Sequence, residues 1–108
     1  MILHESDIEA NFFTIVLANG YALCMVYPDE YEGGEIAWLA NVKVYPLFRR
    51  QGWGNQLIKQ ALKLARERGY KKMRLAAAPG WRVDWYKRCG FTVINENYCG
   101  RTIMEKTL

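Results

Sequence analysis

The first 42 residues contain no lysine and no arginine, although the 108-residue chain carries fifteen basic residues. Long apolar runs are also missing. No stretch approaches the roughly 20 residues that a membrane helix needs, and the acidic opening MILHESDIEA lacks the basic start of a secretory signal. A cytoplasmic protein with no membrane partner is therefore expected. Histidine occurs once, as His4, and the three cysteines (Cys24, Cys89, Cys99) show no CxxC spacing. Those residues exclude the usual zinc arrangements, so no metal is expected. An odd set of cysteines cannot all pair within one chain, which favours a reducing compartment.

What is present is an ordinary globular composition, 51% hydrophobic and 24% charged, which excludes a disordered chain. The length suits a single domain, residues 1–108, with one modest core. The charge is divided sharply. Residues 1–42 hold seven of the eleven acids, and every basic residue lies from Lys43 onward. A basic C-terminal part favours an anionic partner such as a nucleic acid or a phosphate-bearing cofactor. Mutual attraction of the two parts is the structural alternative.

Apolar periodicity places the features. NFFTIVL and YALCMVY are β-rich runs joined by Ala18-Asn19-Gly20, a hairpin signal. DEYEGG reads as a polar loop, and EIAWLANVKVY as a long strand stopped by Pro46. The period then becomes helical. Trp53, Leu57, Ile58, Ala61, Leu62 and Ala65 share one face, and Gly69 ends the helix. KMRLAAA is a short strand, Pro79-Gly80 opens a second helix through WRVDWYKRC, and FTVIN and RTIMEKTL form two last strands. The predicted order is β-β-β-α-β-α-β-β, an α+β fold with a mixed sheet.

Between strand and first helix stands YPLFRRQGWGNQL. A helix start leaves free backbone N–H groups and a partial positive charge. Glycines there let backbone approach a phosphate, and arginines add planar donors. The stretch is thus a candidate diphosphate cradle, or else a basic turn whose glycines serve geometry. Neither familiar cradle matches, because Leu57 replaces the third glycine of GxGxxG and no Gly-Lys-Ser/Thr follows.

VKVYPLFRRQGWGNQLIKQAL resembles the central motif of the GNAT superfamily of acyl-CoA-dependent N-acetyltransferases. That motif is a strand ending V-x-P, then R/Q-x-x-G-x-G/A opening a helix, here Val44-Tyr45-Pro46 and Arg49 to Gly54. Downstream, WYKRCGF (Trp85 to Phe91) resembles the family's F-Y-x-x-x-G-F. The likeness runs from about Tyr21 to the C-terminus.

The resemblance implies a GNAT-like fold, a mostly antiparallel central sheet flanked by helices, and acetyl transfer from acetyl-CoA to a primary amine through a tetrahedral intermediate. It implies that the main chain of Val42, Lys43 and Val44 pairs with the pantetheine arm, and that Arg49, Arg50, Gln51, Gly52, Trp53 and Gly54 hold the pyrophosphate. A strand N–H near Val42 to Val44 would stabilise the oxyanion. Tyr86 matches the tyrosine that protonates the departing thiolate; its structural alternative is a core aromatic beside Trp81 and Trp85. Cys89 reads as a packed residue rather than a nucleophile.

Three departures accompany the likeness. The N-terminal helices of the family are largely missing, since only about ten residues precede the first clear strand; a homodimer partner, or an open cleft for a large acceptor, would supply what they provide. Pro79 replaces an asparagine common before the second motif. Trp38 stands mid-strand where some members keep a carboxylate, which leaves Glu35 as the candidate base, with a solvated loop-edge acid as its alternative. The acidic loop would draw in a cationic amine. Two readings of other classes stand beside the enzyme: a CoA-binding module without catalysis, and a small basic nucleic-acid binder. The two motifs account for the basic residues without nucleic acid.

Overall fold

The computed structural model describes residues 2–7, 12–29, 31 and 34–108. Seven strands form one sheet in the order β1-β2-β3-β4-β5-β7-β6. They are β1 (Ile2–Asp7), β2 (Phe12–Leu17), β3 (Ala22–Pro28), β4 (Ile36–Val44), β5 (Lys72–Ala77), β6 (Thr92–Tyr98) and β7 (Arg101–Thr107), with helices α1 (Trp53–Glu67) and α2 (Trp81–Arg88) after β4 and β5. All pairings are antiparallel except β4–β5. The α+β reading with a mixed sheet therefore holds.

The six strands read from the sequence are all present, and β1 is an addition. Its sequence ILHESD carries only two apolar residues, too few for a periodicity signal. As an edge strand it pairs with β2 alone, and charged side chains are a common means of blunting a sheet edge. Among the described residues no helix precedes β4 except the short 3-10 turn Ala18–Gly20 that closes the β2–β3 hairpin. Asn19 and Gly20 there have φ of 54° and 98°, the left-handed region that Asn and Gly enter most readily.

One face of the sheet builds the core. Alternate residues Phe13, Ile15 and Leu17 of β2 and Ala22, Cys24 and Val26 of β3 are buried, as the two-residue period of a strand requires. Against them α1 lays Leu57, Ile58, Ala61, Leu62, Leu64 and Ala65, the stripe read from the sequence with Leu64 added and with Trp53 only half-buried at its edge. Each large apolar side chain fully buried there contributes about 1.5–3 kcal/mol. Tyr86 of α2 and Phe91 join the same cluster. Glu105 of β7 ties the far side by accepting from Arg74 Nε of β5 at 2.7 Å. Among the described residues no helix is long and apolar enough to cross a membrane.

Two features of β4 shape the space beside it. Leu23 pairs with Lys43 but Met25 with Ala40, so β4 holds one residue more than β3 across that interval. This is a bulge, and Asn41, at φ 54°, takes the left-handed conformation within it. Secondly, β4 meets β5 only over Ile36–Trp38, whereas β5 pairs with β7 along its whole length. Beyond Trp38 the parallel partners part, and the end of β4 keeps one side without a strand beside it.

Candidate active site

A cavity of about 870 Å³ opens where β4 leaves β5. The end of β4 (Val42, Lys43, Val44), the loop and first turn of α1 (Phe48, Arg49, Arg50, Gly52, Trp53, Gly54, Asn55) and α2 (Trp81, Arg82, Trp85, Tyr86, Arg88) line it. The two sequence motifs, some thirty residues apart in the chain, thus face one space.

The loop is braced before it reaches the helix. Phe48 stacks on Tyr21 with ring centroids 4.5 Å apart, and the Tyr45 amide donates to Tyr21 O at 2.8 Å. Arg49 Nε reaches back to Val44 O at 3.0 Å. Gln51 Nε2 donates to Leu47 O at 3.1 Å while its Oε1 accepts from Trp53 Nε1 at 3.3 Å. Gln51 does not line the cavity; its side chain braces the loop instead. Gly52 caps α1 at φ 83° with no side-chain hydrogen bond, and the first bond of the helix is Gln56 N–H to Gly52 O at 3.1 Å. The amides of the first turn are therefore left for an external acceptor.

The two glycines of RRQGWG serve different ends. A Cβ on Gly52 would meet open space, so the positive φ is what calls for glycine there. A Cβ on Gly54 would stand 3.1 Å from Trp85 Cζ2, so glycine there admits the indole of α2. Trp85 Nε1 in turn donates to Asn55 Oδ1 at 3.1 Å.

Tyr86 lies one residue on, packed against Trp85 and edge-on to Phe91 with centroids 4.8 and 5.9 Å away. It is both a core aromatic and part of the cavity wall. Burial raises its phenol to about pKa 12, reinforced by Cys24 and Cys89 and opposed by Arg82. The proton is thus held firmly at neutral pH. Cys89 is half-buried and lies outside the cavity lining. Burial raises its thiol despite Arg88 and Lys106, the opposite of a nucleophile's environment.

Glu35 is not brought to the cavity. It is exposed at the opposite end of β4, where its carbonyl accepts from the amides of Lys71 and Lys72 at 2.8 and 3.1 Å. Six residues of strand separate it from Val42, about 20 Å. Trp38 donates through Nε1 to Asp29 Oδ2 at 2.6 Å. Glu30 and Glu32 of the acidic loop lie outside the described residues. Among the described residues no group of three or more His, Cys, Asp or Glu side chains is placed to hold a metal ion.

Sequence reasoning did not assign Phe48, Asn55, Arg82 or Arg88 to the site, and gave Trp81 and Trp85 no role there beyond packing beside Tyr86 and, for Trp85, opening the second motif. The signal was the helical spacing of α2. Trp81, Trp85 and Arg88 recur at i, i+4, i+7, and Arg82 and Tyr86 at i, i+4.

The family model described as an acetyltransferase (GNAT) domain matches residues 9–93. No curated protein matches by sequence. Among solved structures, a GNAT family acetyltransferase from Elizabethkingia anophelis with acetyl-CoA bound is similar, at TM-score 0.75 and 19% identity, over 92% of this chain and 76% of that one. The PaiA N-acetyltransferase of Thermoplasma acidophilum in complex with coenzyme A gives 0.74 and 19%, over 90% and 60%. The N-acetylglutamate synthase of Neisseria gonorrhoeae, complexed with coenzyme A and N-acetyl-glutamate, gives 0.71 and 15%, over 90% of this chain and 25% of that one.

Proposed function

Because the chain belongs to the GNAT family of acetyltransferases, an acyltransferase family, we propose that it moves the acetyl group of acetyl-CoA to a primary amine in the cavity between β4 and α2. The observation that carries the reading is that both motifs line this one cavity. Support comes also from the solved structures of the same fold that hold acetyl-CoA or coenzyme A; N-acetyl-glutamate in one of them is consistent with a small-molecule acceptor.

In this reading the first-turn amides of α1, with Arg49 and Arg50, hold the diphosphate. The end of β4 pairs with the pantetheine amides as an added strand would. Arg49 already occupies Val44 O, so Val42 O and the strand's free amides are the groups that serve. The amine attacks the thioester carbonyl, a C–N bond forms, and a β4 N–H stabilises the oxyanion. On collapse the C–S bond breaks. Tyr86 O–H donates to the departing sulfur, and the proton released by the nitrogen returns to the phenol through solvent. A phenol near pKa 12 is a weak acid toward a thiolate in water. The same burial that raises the phenol also raises a thiol leaving into that space, which narrows the mismatch. No carboxylate takes part among the described residues, so the amine arrives neutral or loses its proton to water.

Thiol release from acetyl-CoA, measured with a panel of amines, tests the proposal. Release that requires an amine supports it. Saturable acetyl-CoA binding with no release by any amine would leave a CoA-binding module instead.

A further inference from the structure

Five cations line the cavity, Lys43, Arg49, Arg50, Arg82 and Arg88, and no carboxylate does. Three of them stand on β4 and the loop, beside the proposed diphosphate site. The two on α2 lie on different stripes of the helix. Arg88 shares its stripe with Trp81 and Trp85, and that stripe faces the loop, because Trp85 bonds Asn55 in the first turn of α1. Arg82 shares the neighbouring stripe with Tyr86, one turn away, where side chains start about 5–6 Å apart. Its guanidinium stands over the Trp81 ring, 4.7 Å from the centroid. No carboxylate among the described residues pairs with it.

Resting on the acetyltransferase reading above, we propose that Arg82 selects the acceptor by receiving the carboxylate of a free amino acid, whose amino group is thereby presented to the thioester beside Tyr86. An α-amino acid separates its amine and carboxylate by one carbon. A guanidinium whose side chain starts one helical turn from that of Tyr86 can reach a carboxylate held beside the thioester and grip both of its oxygens. A polyamine or an aminoglycoside would bring a second ammonium to the same place and meet like charge with no carboxylate to screen it. The indole of Trp81, two-thirds exposed at the rim, fixes the guanidinium by stacking.

The experiment compares the common amino acids with their carboxamides and with spermidine as acceptors, by thiol release from acetyl-CoA, in the wild type and in Arg82→Gln. The amino acids are expected to exceed their carboxamides and spermidine at least tenfold in kcat/KM. Arg82→Gln should remove that preference and leave the KM for acetyl-CoA within about twofold, and Arg82→Lys should restore it in part. Three results would overturn the assignment while leaving acetyl transfer intact. One is carboxamides or spermidine used as well as the acids. Another is Arg82→Gln raising the acetyl-CoA KM, which would place Arg82 on the phosphates. The third is kcat falling equally for acid and carboxamide, which would place it on the thioester. Acetyl-CoA binding without thiol release by any amine would remove this proposal and the acetyltransferase reading together.

Discussion

Trp85 closes over Gly54, with its Cζ2 3.1 Å from where a Cβ at position 54 would stand, and its indole N–H bonds the next residue, Asn55. The second motif is thereby seated directly on the first. Gly54→Val should destabilise the fold by about 2 kcal/mol through overpacking. In a Trp85→Ala background the same change should cost much less, a coupling of about 1 kcal/mol or more by denaturant unfolding. Additive costs would mean that the indole does not set the requirement.

Gly52 should behave differently. Its Cβ would meet nothing within 4 Å, but φ 83° penalises any L side chain by about 1 kcal/mol. Gly52→Ala is expected to cost that amount with no dependence on Trp85. Because relief of the strain reorients the first-turn amides, acetyl-CoA affinity should fall with it, read by calorimetry.

Arg49 has two tasks, charge toward the cavity and a side-chain bond to Val44 O. Lysine keeps the first and loses the forked geometry. Arg49→Lys should therefore raise the acetyl-CoA KM about tenfold with little change in kcat. Full retention of affinity would show that charge alone suffices.

Tyr86→Phe removes the phenol and keeps the ring between Trp85 and Phe91. It is expected to lower kcat at least tenfold with acetyl-CoA affinity nearly unchanged. Since burial holds the wild-type phenol at about pKa 12, its ionisation should not contribute an alkaline fall in kcat below about pH 11. Loss of affinity in the variant would mark Tyr86 as structural.

Cys24, fully buried on β3, gives a stability prediction. Burial raises its thiol from 9.0 to about 12, so above pH 9 the unfolded chain releases this proton while the folded one keeps it. The unfolded state then binds fewer protons, and stability falls as pH rises from 9 toward 12. Cys24→Ala should flatten that limb of a stability–pH curve, at the cost of a small cavity at every pH. An unchanged slope would contradict the assignment.

The sequence carried the architecture well because periodicity records burial directly. The stripe of α1 and the alternation in β2 and β3 were legible for that reason. The strand β1 was not, because an acidic edge strand has little apolar pattern to show. In the site, local motifs placed the loop and Tyr86, whose geometry depends on neighbours in the chain. Gln51 braces the loop with an exposed side chain, a direction that follows from tertiary placement, whereas the distance of Glu35 from Val42 follows from strand rise alone. Arg82 and Arg88 belong to no local motif, and the seating of α2 against Gly54 is what brings them to the cavity.

Everything proposed for the site depends on the cavity between β4 and α2 taking acetyl-CoA. Three of the four tryptophans, Trp53, Trp81 and Trp85, line it, so intrinsic fluorescence during an acetyl-CoA titration reads its occupancy directly. A saturable change with one-to-one stoichiometry is expected, reproduced by coenzyme A and unaffected by polynucleotide. No saturation at millimolar acetyl-CoA, or displacement by polynucleotide, would contradict it.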